Sequence, residues 1–360
     1  MKLKEDPLTT PEDDNSVTAK ISPQLGAWLT ANKVSILISS YQSGRLFVVG
    51  ADVEGRVILQ HHIFDRAMGI STYKAGFVFA TLHQIWKYCL INAIGKPPKN
   101  PETLLIPQNC HYTGFVNCHD VAKTDSDGIL YASTLFNCVA TTGENSNLVP
   151  VWVPPFIQEF VPEDRCHLNG IAKVNGKLRF VSVLGKTAEK AGWRKDHSKG
   201  AIFDIKSNKA IASDLWMPHS PRVHGRRLYA LESGQGSFGA VADGKIAKNL
   251  LLPGFTRGLD FYDGIAAVGH SKPRAEPATE LPLGKRLEAN GIEASCGIVL
   301  FDIITAKVLH SIQFTSGVEE LYDVAFLHGT SNPRLIHPTS SEVIKIYSVG
   351  LKSRKAGTKG

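Results

Sequence analysis

The sequence predicts an all-β chain folded as a six-bladed β-propeller, and three observations carry that prediction. Its apolar runs are short, rich in Val, Ile, Phe and Tyr, and bounded by Gly, Asp, Asn or Ser, as in "GILYAST", "GKLRFVSVL" and "RRLYALES", which is the strand-and-hairpin pattern. A step of small or charged residues ahead of an apolar hairpin recurs about every 50 residues, the size of a four-stranded blade. Strands are also left over at both ends of the chain, so closing the ring between them leaves no open sheet edge. A seven-bladed ring, or a looser half-propeller with a separate piece, is the alternative topology.

Residues 1–25 read as a polar N-terminal extension, with a short helix at "SPQLGAWLTAN". Next come "VSILISSYQ", "RLFVVGA" and "RVILQHHIF", three strands that precede any innermost strand. The aligned steps are "RAMGIS", "CHDVAK", "LNGIAK", "SPRVHG", "TRGLDF" and "LYDVAF". Gly69, Asp120, Gly170, Arg222, Gly258 and Asp323 are their equivalent positions, spaced by 51, 50, 52, 36 and 65 residues. The short interval before the long one marks a reduced blade followed by one with an insertion, located in the Pro-rich "SKPRAEPATELPLGKRLEANGIEAS" with one helical turn. "YDVAFL" begins the blade that the N-terminal strands complete. The propeller is thus one domain over 26–350, and 351–360 form a basic tail.

With 43% hydrophobic and 20% charged residues, the 360-residue chain can bury a large core. It has no apolar run long enough for a membrane span and no signal-peptide pattern, so no membrane association and a cytoplasmic location are expected. Six cysteines without a CxxC pair indicate reduced thiols, not a disulfide framework or zinc ribbon. The tail supplies Lys352, Arg354, Lys355 and Lys359 of a net charge of +7. The remainder is near balance with no basic stripe, which argues against a nucleic-acid partner.

In a propeller the residues leading into each innermost strand surround one end of the central channel. This places His119, Asp120, His167, Asn169, His219, Arg222, Arg257 and Asp323 around one funnel. His119, His167 and His219, from three neighbouring blades, are candidate ligands for a divalent metal (Zn, Fe or Cu) or acid–base groups. Asp120 or Asp323 would orient a ring, and Glu232 and Asp323 are carboxylate partners. The plainer reading is a channel lined by hydrated polar groups without a metal. Arg222, Arg257 and Arg274, with Asn169, would hold a carboxylate or phosphate. Cys118 and Cys166 precede histidines, but neighbours on a strand face opposite ways, so they read as buried structural thiols.

The phrases "HDVA", "EDRCHLNGIA", "MPHSPRV", "LYALESGQG", "PGFTRGLDF", "VGHSKPR" and "YDVAFL", between about residues 30 and 340, together resemble a bacterial family of conserved propeller-like proteins of unknown function, some of whose members are joined to tetratricopeptide repeats. The resemblance implies that His119, Asp120, Glu163, Asp164, Arg165, Cys166, His167, Asn169, Gly170, His219, Ser220, Arg222, Glu232, Ser233, Arg257, Gly258, Ser271, Arg274 and Asp323 belong to the family's pattern. His270 departs from it, standing where a small or aliphatic residue is expected. The functional expectation is an enzyme, a lyase, hydrolase or oxygenase, acting on a small polar or anionic substrate. The alternatives are a module that binds a small molecule, a peptide or a protein partner without turnover, and a scaffold whose axis is filled by salt bridges.

Overall fold

The computed structural model describes residues 17–92, 103–125, 128–274 and 281–343, and these form six sheets arranged as the blades of a propeller. The innermost strands are Ile70–Tyr73, Cys118–Lys123, Leu168–Val174, Pro218–His224, Phe255–Tyr262 and Asp323–His328, which define blades 1 to 6. Each packs on the next, and Asp323–His328 closes the ring against Ile70–Tyr73. All six begin at or beside the steps that the sequence alignment picked out.

Closure takes the expected form. Asp323–His328 pairs with Val34–Ser40, from Ser39↔Asp323 to Val34↔His328, and Arg45–Ala51 and Val57–Ile63 complete blade 6. Every residue of Val34–Ser40 is buried, because both faces of the blade are covered by neighbouring blades. The join therefore shields apolar area worth roughly 25 cal/mol per Å² as well as satisfying both edges.

Three details differ from the expectation. Thr18–Ile21, inside the stretch read as a polar extension, pairs with Val308–Ser316 as an added outer strand of blade 5. Val17, Ala19 and Ile21 pack on the core between blades 5 and 6. The insertion carries an eight-residue helix, Pro282–Ala289, instead of one turn; Pro282 starts it, and Leu283 and Leu287 anchor it. In blade 4, His219 pairs with Leu231 but Arg222 with Tyr229, across an irregularity. Ser220, not Arg222, is therefore the counterpart of Asp120, and the Arg222 side chain belongs deeper in the channel. The helix Leu25–Asn32 forms as expected, with Leu25 and Leu29 fully buried.

The innermost strands crowd near the axis. Gly258 has φ +83°, and a Cβ there would lie 2.7 Å from the Val324 nitrogen, so only glycine fits this step of blade 5. No described helix is long and apolar enough to cross a membrane. The basic tail lies outside the described residues.

Candidate functional site

The channel is divided by a buried ion cluster. Arg222 Nη1 donates to Asp120 Oδ2 at 2.8 Å, and Nη2 to Asp120 Oδ1 at 3.2 Å and Asp323 Oδ2 at 3.4 Å. The backbone N–H groups of Ile171 and Ile70 donate to Asp120 Oδ2 and Asp323 Oδ2, each at 2.9 Å. The two carboxylates thereby tie blade 2 to blade 3 and blade 6 to blade 1. Burial pushes the Asp323 carboxyl up to about 7 against the pull of Arg222. On one side of this plug lies a cavity of about 320 Å³, and on the other, one of about 190 Å³. Arg222 faces the smaller.

The larger cavity is built by a device repeated in blades 2, 3 and 4. Asn117, His167 and Met217, each directly ahead of its innermost strand, have φ of 51°, 51° and 53°, a left-handed conformation costly for residues other than glycine. The turn aims each carbonyl at the side chain two residues on. Asn117 O lies 3.0 Å from His119 Nδ1, Met217 O lies 2.9 Å from His219 Nδ1, and His167 O accepts from Asn169 Nδ2 at 3.4 Å. A hydroxyl meets each histidine Nδ1 as well, Thr134 Oγ1 at 2.7 Å and Ser233 Oγ at 2.9 Å. Those hydroxyls donate to Leu168 O and Thr256 O of the following blades. A carbonyl can only accept, so this network assigns the ring proton to Nδ1 and the lone pair to Nε2 in both histidines.

Both rings line the cavity, so Nε2 is the pole they present to it. Burial holds His119 and His219 well below the ordinary histidine range, and the Arg257 charge adds to the depression of each. They are neutral acceptors at physiological pH.

His167 is held differently. Its left-handed backbone swings the ring onto Asp164, with Nδ1 2.6 Å from Oδ2, while Asp164 Oδ1 accepts the His167 N–H at 3.0 Å. Trp193 Nε1 donates to the same carboxylate at 3.1 Å, and the indole packs on the imidazole at 4.2 Å. A carboxylate bound to Nδ1 fixes the ring orientation and leaves Nε2 as the other pole, an arrangement able to serve acid–base chemistry. The Trp193 loop caps this unit, with Ala191 N–H donating to Asp164 O.

The cavity wall is cationic. Arg194, Arg257, Lys272 and Arg274 line it against two carboxylates, Asp164 and Glu320. Arg274 is held by Glu320 through two bonds of 2.8 Å, and Lys272 reaches Glu319 at 3.2 Å. Arg257 instead lies over the Tyr322 ring, 3.6 Å from its centroid, and has no ion pair among the described residues.

Of the residues singled out in the sequence, His119, His167, His219, Arg257 and Arg274 meet in this cavity. Asn169 supports it from the wall, donating to Pro218 O and accepting from Ser182 Oγ. Asp120, Asp323 and Arg222 lie below it in the plug. Glu232 is buried in blade 4, where its Oε1 accepts the Trp216 N–H at 2.8 Å, so it is no partner of the histidines. Among the described residues no three His, Cys, Asp or Glu side chains are placed to hold a metal ion. His119 and His167 instead pack edge to face at 4.6 Å. Cys118 and Cys166 are fully buried, and burial raises both thiols far above their usual range. Sequence reasoning missed the pairing of Asp164 with His167, although "EDRCH" holds both. It also missed Trp193, Tyr322 and the two hydroxyls, which reach the site from distant strands and loops.

A family model described as a domain of unknown function, DUF4915, matches residues 23–336, and the chain belongs to that family. No curated protein matches it. Among solved structures, the chain is similar to a protein of unknown function from Bacteroides caccae, at 9% identity and a TM-score of 0.46, over 82% of this chain and 99% of that one. A gluconolactonase from Xanthomonas campestris matches at 11% identity and a TM-score of 0.44, over 69% and 76%. Virginiamycin B lyase from Staphylococcus aureus matches at 11% and 0.38, over 72% and 78%. These are likenesses of fold alone.

Proposed function

We propose that this DUF4915 propeller binds a small organic anion in its axial cavity and carries out proton-transfer chemistry on it, as a lyase or hydrolase does. One observation carries the reading: Arg257, a guanidinium without an ion pair among the described residues, shares a cavity with the His167–Asp164 unit. An anion on Arg257 gains charge-assisted bonds in a partly desolvated site. His167 Nε2 then takes a proton from the bound molecule or from a water, and Asp164 stabilises the imidazolium that results. At about 320 Å³ the cavity suits a metabolite, not a polymer.

Binding without turnover has one observation in its favour. Phe115 and Phe160, 50% and 49% exposed, lie on loops leading into blades 2 and 3 on the cavity side, a surface suited to a peptide or protein partner. The test is a panel of small carboxylates and phosphates, read by thermal stabilisation, calorimetry and product analysis. Arg257→Gln should abolish anion binding. His167→Gln and Asp164→Asn should keep binding but lose turnover. Anion binding unchanged in Arg257→Gln would overturn the reading; binding with no turnover of any bound anion would leave the binding module.

A further inference from the structure

The two neutral histidines say more about the ligand than its charge. Resting on the anion-binding reading above, we infer that the ligand is a hydroxy acid: an oxyanion for Arg257 with hydroxyl donors beside it for His119 and His219.

At each ring Nδ1 faces a backbone carbonyl and a hydroxyl already committed to another carbonyl. Moving the proton to Nε2 would set a lone pair against a carbonyl oxygen inside the wall, which burial makes expensive. Protonating both nitrogens is opposed by burial and by Arg257. Each ring is therefore fixed as an acceptor toward the cavity, and Nε2 has no partner among the described residues.

A bare carboxylate would satisfy Arg257 but leave these two acceptors facing its alkyl chain. A ligand that donates to them meets all three groups. The donor is hydroxyl and not ammonium, because Arg194 and Arg257 remain beside the cavity once Lys272 and Arg274 are paired with Glu319 and Glu320, and a ligand ammonium would add repulsion there. In three neighbouring blades a left-handed residue, Asn117, His167 or Met217, places its carbonyl to hold the side chain two residues on.

The experiment measures affinity by calorimetry for matched pairs differing only in hydroxyls: glycerate and propionate, malate and succinate, gluconate and hexanoate. The expected result is at least about tenfold tighter binding of the hydroxy member in the best-binding pair. His219→Phe should remove the preference while plain carboxylate binding survives. Equal affinities within every pair would overturn the hydroxy-acid inference and leave Arg257 as an anion site. No binding by any member, nor by the small phosphates of the panel above, would overturn the anion reading itself. A second readout does not depend on the variant folding: nitrogen NMR of the free protein should show Nε2 unprotonated at His119 and His219, and a proton on either Nε2 would refute the assignment.

Discussion

Replacing Arg222 by Met is the sharpest test of how the channel is held together. The guanidinium makes bonds of 2.8 and 3.2 Å to Asp120 and one of 3.4 Å to Asp323, and the acids are 3% and 4% exposed. Met keeps an unbranched apolar stem but leaves two carboxylates buried without a counter-charge, and removing one member of such a cluster typically costs about 3–5 kcal/mol. For a chain of 360 residues that corresponds to a drop in Tm of about 4–7 °C.

The deficit must also depend on pH, with a definite sign. Asp323 has its folded pKa raised, to about 7, so its contribution to stability is full below the unfolded carboxyl value and is lost as pH rises through about 7. Without Arg222, whose charge pulls that value down, the folded Asp323 carboxyl holds its proton more tightly still. The deficit should be largest at pH 8 and shrink by pH 5.5. Guanidinium unfolding followed by tryptophan fluorescence, with calorimetry at both pH values, measures it. The triple variant Asp120→Asn, Arg222→Met, Asp323→Asn should recover part of the loss. An Arg222→Met protein within about 1 kcal/mol of the parent at pH 8, or with an equal deficit at pH 5.5, would refute the view that the guanidinium holds this plug together.

Two further predictions concern titratable groups. Cys118, Cys138, Cys166 and Cys296 are buried with raised thiol pKa values, so a neutral-pH thiol reagent should leave these four unmodified in the native protein and modify them on unfolding; peptide mapping shows which react. His119 and His219, depressed by burial, should not titrate in NMR spectra near pH 6.5. Their stability contribution is full above the unfolded value and is lost as pH falls through the depressed folded ones, so a ring that titrates normally would show the cavity wall to be open to water.

The ring was legible in the sequence because its cause is local and repeated. Each blade needs a close-packed first step, and the residues that permit one, Gly69, Gly170 and Gly258 or the capping acids Asp120 and Asp323, recur at blade spacing ahead of β-branched strands. Closure was legible for the same reason: Val34–Ser40 is wholly apolar or small, so it demands a partner on each side, and only Asp323–His328 was left to supply one. The division of labour among the polar residues was not legible. His119, His167 and His219 look like one position in three blades, yet His119 and His219 share a register with Asn169, while His167 occupies the left-handed turn that Asn117 and Met217 occupy elsewhere. That two-residue offset sends the imidazole of His167 to Asp164 and the other two to backbone carbonyls. Composition gives no sign of it, because a left-handed Met217 runs against intrinsic preference and is imposed by the blades around it. The offset gives three similar histidines two different settings, His167 against the Asp164 carboxylate and His119 and His219 against backbone carbonyls.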